Sequence, residues 1–87
     1  MPTFEEAAAS ARNLKHASND ELLELYSYFK IGNGEDISKS NPGTFDLAGK
    51  AKKRAWQKKL DEGVTKEQAR QKYVATFERL KAEPGLK

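Results

Sequence analysis

The chain has 87 residues, room for one small domain, 1–87, and no second. Hydrophobic residues make up 37% and charged residues 33% of it, a globular composition; the absence of cysteine excludes disulfide scaffolds, thiolate zinc sites and thiol catalysis. The net charge of +3 conceals an asymmetry, since residues 1–49 carry four Lys/Arg against eight acids and residues 50–87 carry twelve against five.

Four Thr, two Val and two Ile are few β-branched residues, and no stretch alternates with period two. Helical spacing recurs four times, which predicts an all-α fold. The first helix, about residues 3–15, places Phe4, Ala7, Ala8, Ala11 and Leu14 on one face. Thr3 is its expected N-cap, and Glu5 and Glu6 suit the positive end of the helix dipole. His16, the single histidine, follows this helix, where a cation favours the C-terminus. The second helix, about 20–32, opens with Ser18 and Glu21 spaced as a capping box. Leu22, Leu25, Tyr26 and Phe29 form its expected core series, and Gly32-Asn33-Gly34 ends it. Asn41-Pro42-Gly43 marks a turn in a connection longer than the two to eight residues common in bundles, so the next helix is able to run parallel to the second. The third helix, about 47–60, turns Ala48, Ala51, Ala55 and Trp56 inward and ends at Asp61-Glu62-Gly63. Thr65 and Gln68 box the start of the fourth, about 65–82, whose seam is Ala69, Tyr73, Phe77 and Leu80, with Pro84-Gly85 closing it.

Between Lys50 and Lys59, six cations (Lys50, Lys52, Lys53, Arg54, Lys58, Lys59) meet no acid, which attracts anions or else forms a solvated helix face. Tyr26 and Lys30 share a face of the second helix with Phe29 beside them; Lys52 and Trp56 share one on the third, as do Lys50 and Arg54. Ammonium groups, a phenol and aromatic faces are the ingredients of a nucleotide-phosphate site. Each also has an ordinary reading: Phe29, Trp56 and Tyr73 fit core positions. No glycine-rich phosphate loop, histidine cluster or isolated carboxylate pair offers catalytic or metal-binding chemistry. No run reaches the roughly 20 apolar residues of a membrane span and no signal-peptide core opens the chain, so a soluble, intracellular module is expected.

The string from Glu21 to Lys30, the stretch Asn41-Pro42-Gly43-Thr44-Phe45-Asp46-Leu47-Ala48-Gly49-Lys50-Ala51-Lys52 with Ala55-Trp56, and the pattern Ala69…Tyr73-Val74…Phe77…Leu80 resemble the acyl-CoA-binding protein family. Phe4, Ala7, Ala8 and Leu14 match its first helix. The resemblance implies an up-down-down-up four-helix bundle with a long loop between helices 2 and 3. It implies a cytoplasmic, monomeric carrier of medium- to long-chain acyl-CoA that is not an enzyme, needs no cofactor or metal, and meets acyl-CoA-using enzymes or membranes transiently. Carried over, Tyr26, Lys30 and Lys52 grip the 3′-phosphate, Arg12 lies near the phosphates, Tyr73 borders the ligand, and Leu22, Leu23 and Ala51 line the acyl groove; Phe29 and Lys50 complete the expected acyl-CoA-binding set. Phe29 stands where most members have a tyrosine near the adenine, Lys53 replaces a commonly aromatic residue, and Gly32-Asn33-Gly34 is expected to loosen the second helix's end. The competing reading of the same basic run is a small nucleic-acid-binding bundle, whose affinity collapses with salt where tail burial persists.

Overall fold

Side-chain oxygens start every helix. Thr3 Oγ1 accepts the Glu6 N–H at 3.1 Å, and the Glu6 carboxylate accepts the Thr3 N–H at 2.9 Å. The same reciprocal pair joins Ser18 to Glu21 (3.2 and 2.8 Å) and Thr65 to Gln68 (3.1 and 3.0 Å), as the spacing predicted. Asp46, whose role the spacing did not announce, caps the third helix by accepting the Gly49 N–H at 2.9 Å. The computed structural model describes residues 2–14 and 17–82; His16 and the Pro84-Gly85 stop lie outside the described residues. The helices are α1 (Phe4–Ala11), α2 (Asn19–Gly32), α3 (Leu47–Asp61) and α4 (Lys66–Ala82), with a single 3₁₀ turn at Ile37–Lys39 and no strand among the described residues.

α1 is shorter than its apolar series. After Ala11 the Asn13 and Leu14 N–H groups bond back three residues, to Ser10 and Ala11, and this tighter winding ends the α-helix. The end of α2 is closed where loosening was expected. Gly34 adopts φ +70°, its N–H bonds the Ile31 carbonyl at 2.9 Å, and the Glu35 N–H bonds the Lys30 carbonyl at 3.1 Å. This is a Schellman closure, which needs the left-handed conformation that glycine adopts without a Cβ penalty. Gly63 (φ +85°) ends α3 in the same way.

α2 packs against both α3 and α4, and α1 packs on α4. The buried core is Phe4, Ala7, Leu25, Tyr28, Ile31, Trp56, Ala69, Tyr73, Val74, Phe77 and Leu80. The predicted α4 seam is therefore all core. Two other predicted faces are corrected. On α2 the core row is Leu25, Tyr28 and Ile31, whereas Leu22 is 49% exposed and Tyr26 and Phe29 are half-buried. On α3 only Trp56 is buried; Ala48 is exposed, and Ala51 and Ala55 are half-buried. Truncating Trp56 to Ala should cost about 3–5 kcal/mol of fold stability; half-buried Leu60 packs against the core beside it, and Lys59 lies over Tyr28. Two α3 lysines pin the 33–46 connection: Lys50 Nζ donates to the Thr44 carbonyl at 2.7 Å and Lys53 Nζ to the Ser40 carbonyl at 2.6 Å.

Candidate functional site

The residues that α2 and α3 withhold from the core form walls. A cleft of about 510 Å³ is lined by Ala8, Ala11 and Arg12 at the end of α1, by Leu22, Leu25, Tyr26 and Phe29 of α2, by Lys52 of α3 and by Tyr73 of α4. A second, more apolar cleft of about 330 Å³ lies between α2 and α3, lined by Asn19, Leu22, Leu23, Ala48, Ala51 and Lys52. Leu22 and Lys52 line both, so the two hollows meet at one apolar side chain and one ammonium group. None of the helices is long and apolar enough to cross a membrane, and no three His, Cys, Asp or Glu side chains cluster as metal ligands among the described residues.

The floor of the larger cleft is aromatic. Phe29 stacks on Phe4 with ring centroids 6.0 Å apart and tilts against Tyr73 at 6.1 Å, while Phe4 meets Tyr73 edge-on at 5.2 Å. Such contacts fix the rings beyond simple area burial. Burial pushes the Tyr73 phenol above its ordinary pKa.

The cationic edge is built across α2 and α3. Lys30 Nζ and Lys52 Nζ each lie 5.5 Å from the centroid of the Tyr26 ring, and Tyr26 in turn meets Trp56 edge-on at 6.3 Å. Lys30 also lies over Trp56, at 5.9 Å. The ring quadrupoles draw both ammonium groups to one place, and the buried Trp56 supports the ring they share. Lys30 carries a counter-ion: its Nζ donates to Glu35 Oε1 at 2.9 Å. That hydrogen bond is the main reason the Glu35 carboxyl sits below its usual pKa. The Schellman closure explains the pair, because it sets Lys30 and Glu35 on either side of one turn. Lys52 has no carboxylate partner among the described residues.

Tyr26, Lys30 and Lys52 are thus brought together, with Phe29, Tyr73 and Arg12 on the adjoining cleft and Leu22, Leu23 and Ala51 on the apolar one. Lys50 lines neither cleft and spends its ammonium group on the Thr44 carbonyl. The rest of the basic run divides as well. Lys59 turns inward over Tyr28 at 5.1 Å and reaches Glu24 and Glu62 at 3.8 Å, whereas Arg54 and Lys58 are exposed. Several participants escaped the sequence reading: Ala8, Ala11 and Ala48 were read as inward-facing helix positions, and Asn19 was given no role at the site. Leu25 was assigned to the core alone, and Glu35 was not singled out, although its place just after Gly34 and five residues from Lys30 was a usable signal.

The family model described as Acyl CoA binding protein matches residues 1–77. The chain is 48% identical over 84 residues to "Acyl-CoA-binding protein homolog 1" of Caenorhabditis elegans, covering 95% of each chain. It is 47% identical over 85 residues to "Acyl-CoA-binding protein homolog" of Manduca sexta, covering 95% of this chain and 92% of that one. Against "Acyl-CoA-binding protein" of Dictyostelium discoideum the identity is 44% over 81 residues, covering 92% and 94%.

Proposed function

This chain belongs to the acyl-CoA-binding protein family, and from that premise we propose that it binds medium- to long-chain acyl-CoA esters across its two adjoining clefts. It is a binding protein and carrier, not an enzyme. The observation that carries the reading is the convergence of Lys30 and Lys52 on Tyr26 where a polar-edged cleft meets an apolar one. A ligand with an anionic nucleotide head and a long alkyl tail is complementary to that junction.

In this assignment Tyr26, Lys30 and Lys52 grip the 3′-phosphate of the adenosine. The adenine lies by Phe29 and Tyr73, with Arg12 near the phosphates. The tail follows Leu22, Leu23 and Ala51. Charge-assisted contacts to a phosphate contribute about 1.5–3 kcal/mol each, and the tail contributes about 0.8 kcal/mol per buried CH₂. The structure is too small to enclose a long tail in its core, so the tail lies between helices with the CoA head folded over it. Phe29 keeps a stacking face and lacks the hydroxyl of the family's usual tyrosine. Lys50 acts at one remove, by anchoring the loop before α3. The helices run up-down-down-up, the long 33–46 connection allowing α2 and α3 to run parallel. The protein works as a cytoplasmic monomer, with no cofactor, passing its ligand to acyl-CoA-using enzymes or membranes.

Titration of Lys52→Ala with acyl-CoA and its 3′-dephospho form tests the assignment. Wild type is expected to prefer the 3′-phosphate form by tenfold or more, and Lys52→Ala to lose most of that preference, while Lys58→Ala keeps it. Equal binding of both ligands by wild type refutes the clamp.

A further inference from the structure

The apolar cleft between α2 and α3 is polar at both ends. Leu22, Leu23, Ala48 and Ala51 make its walls, and the two remaining lining residues are Lys52 and Asn19. Lys52 stands with Leu22 where this cleft meets the larger one. Asn19 lies three residues before Leu22 on α2, and Ala48 four residues before Lys52 on α3, each about one helical turn back. They mark the end of the cleft away from the junction. A tail that enters between Leu22 and Lys52 therefore passes about 6 Å of helix axis, from Leu23 back to Asn19, before it meets a carboxamide. That carboxamide is unspent. Ser18, not Asn19, caps α2 by accepting the Glu21 N–H at 3.2 Å. The Asn19 side chain is exposed and makes no hydrogen bond among the described residues. It offers two N–H donors and a carbonyl acceptor, none of which the methyl end of a plain alkyl tail uses.

We propose that Asn19 is a specificity-determining residue for the tail, and that the chain takes acyl-CoA esters whose tail ends in a neutral hydroxyl as readily as plain ones. The inference rests on the acyl-CoA reading and names a substrate class within it. A hydroxyl drawn among leucine and alanine side chains loses its water without gaining a partner, which weakens binding about tenfold. A hydroxyl that reaches Asn19 exchanges water for the carboxamide and escapes that loss. The class is a neutral end and not a carboxylate, because the neighbouring Asp20 carboxylate, paired with no cation among the described residues, repels a negative charge there. Lys52, the other polar group of the cleft, is a turn away and is engaged by the phosphate in this reading.

The test is calorimetric titration of the full chain with plain esters from octanoyl- to hexadecanoyl-CoA and with the ω-hydroxy esters of the same lengths. The readout is the ratio of plain to hydroxylated affinity at each length. In wild type the ratio is expected near tenfold for tails too short to reach Asn19 and within twofold for those that reach it. Asn19→Ala and Asn19→Leu should hold it at fivefold or more at every length, and both should melt with wild type because the side chain is exposed. Asn19→Asp keeps an acceptor and should restore the fall to within twofold. A ratio that does not change with length overturns the proposal. So does a fall that survives in Asn19→Ala, because the hydroxyl has then returned to water. An ω-carboxy ester that binds more tightly than its ω-hydroxy counterpart overturns the choice of a neutral group. A wild type that binds no plain ester refutes the acyl-CoA reading itself, whereas one that binds them all and penalises the hydroxyl at every length refutes only the role of Asn19.

Discussion

Replacing Glu35 by Gln should tighten acyl-CoA binding, although Glu35 touches neither cleft wall. Its carboxylate holds Lys30 at 2.9 Å, with the two side chains 40% and 24% exposed. A phosphate at the clamp has to draw Lys30 out of that pair. At this exposure the pair contributes about 0.2–1 kcal/mol, so releasing Lys30 beforehand returns an amount of that order to binding. The carboxylate also repels an incoming phosphate dianion. At a separation of roughly 7 Å in high dielectric, with screening at physiological salt, that repulsion adds about 0.5 kcal/mol. Together these give roughly 1 kcal/mol, or about fivefold tighter binding. Calorimetry with acyl-CoA and with its 3′-dephospho form is the assay. The gain should appear with the first and fade with the second. An unchanged affinity, or an equal gain with both ligands, refutes the placement of Lys30 at the phosphate.

Gly34→Ala should lower stability by about 1–2 kcal/mol in urea denaturation, because φ +70° is strained for any side chain while the nearest atom, Lys66 Nζ, stands a comfortable 3.5 Å from the new Cβ. Gly43→Ala, with open space and no positive φ, should stay within about 0.5 kcal/mol, and equal effects at the two sites would remove the Schellman closure from the account. The Glu35 carboxyl is lowered in the folded state, so the stability it adds through Lys30 is complete above its ordinary pKa of 4.5 and is lost as pH falls through the lowered value. The stability difference between wild type and Glu35→Gln should therefore be flat from pH 8 to about 5 and shrink in more acidic buffer; a difference that grows on acidification contradicts the pairing.

The N-cap at Thr3, the capping boxes at Ser18 and Thr65 and the α4 seam were legible because each is a local matter, settled within one or two turns of chain. The walls of the site were legible through the family resemblance and not through periodicity. Leu22, Tyr26 and Phe29, and likewise Ala48 and Ala51, have the periodicity of core residues, and periodicity states which residues share a face without stating what that face meets. Only the packing of α2 against both α3 and α4 turns those rows into cleft walls. The basic run misled in a similar way. Successive residues of a helix point about 100° apart, so cations adjacent in sequence reach Thr44, Tyr26, Ser40, open solvent and Glu24 in turn. Gly32-Asn33-Gly34 read as a weak helix end because three small residues do lower helix propensity; the hydrogen bonds of a left-handed closure outweigh that deficit.

The central claim is that one site has a cationic half and an apolar half that act on the same molecule. Calorimetric titration of the wild-type chain with CoA, a long-chain fatty acid and the acyl-CoA joining them tests it most directly. The account predicts that the ester binds more tightly than either part by orders of magnitude, and that its affinity rises with acyl length until the apolar cleft is filled. Equal affinity for CoA and for long-chain acyl-CoA would contradict it.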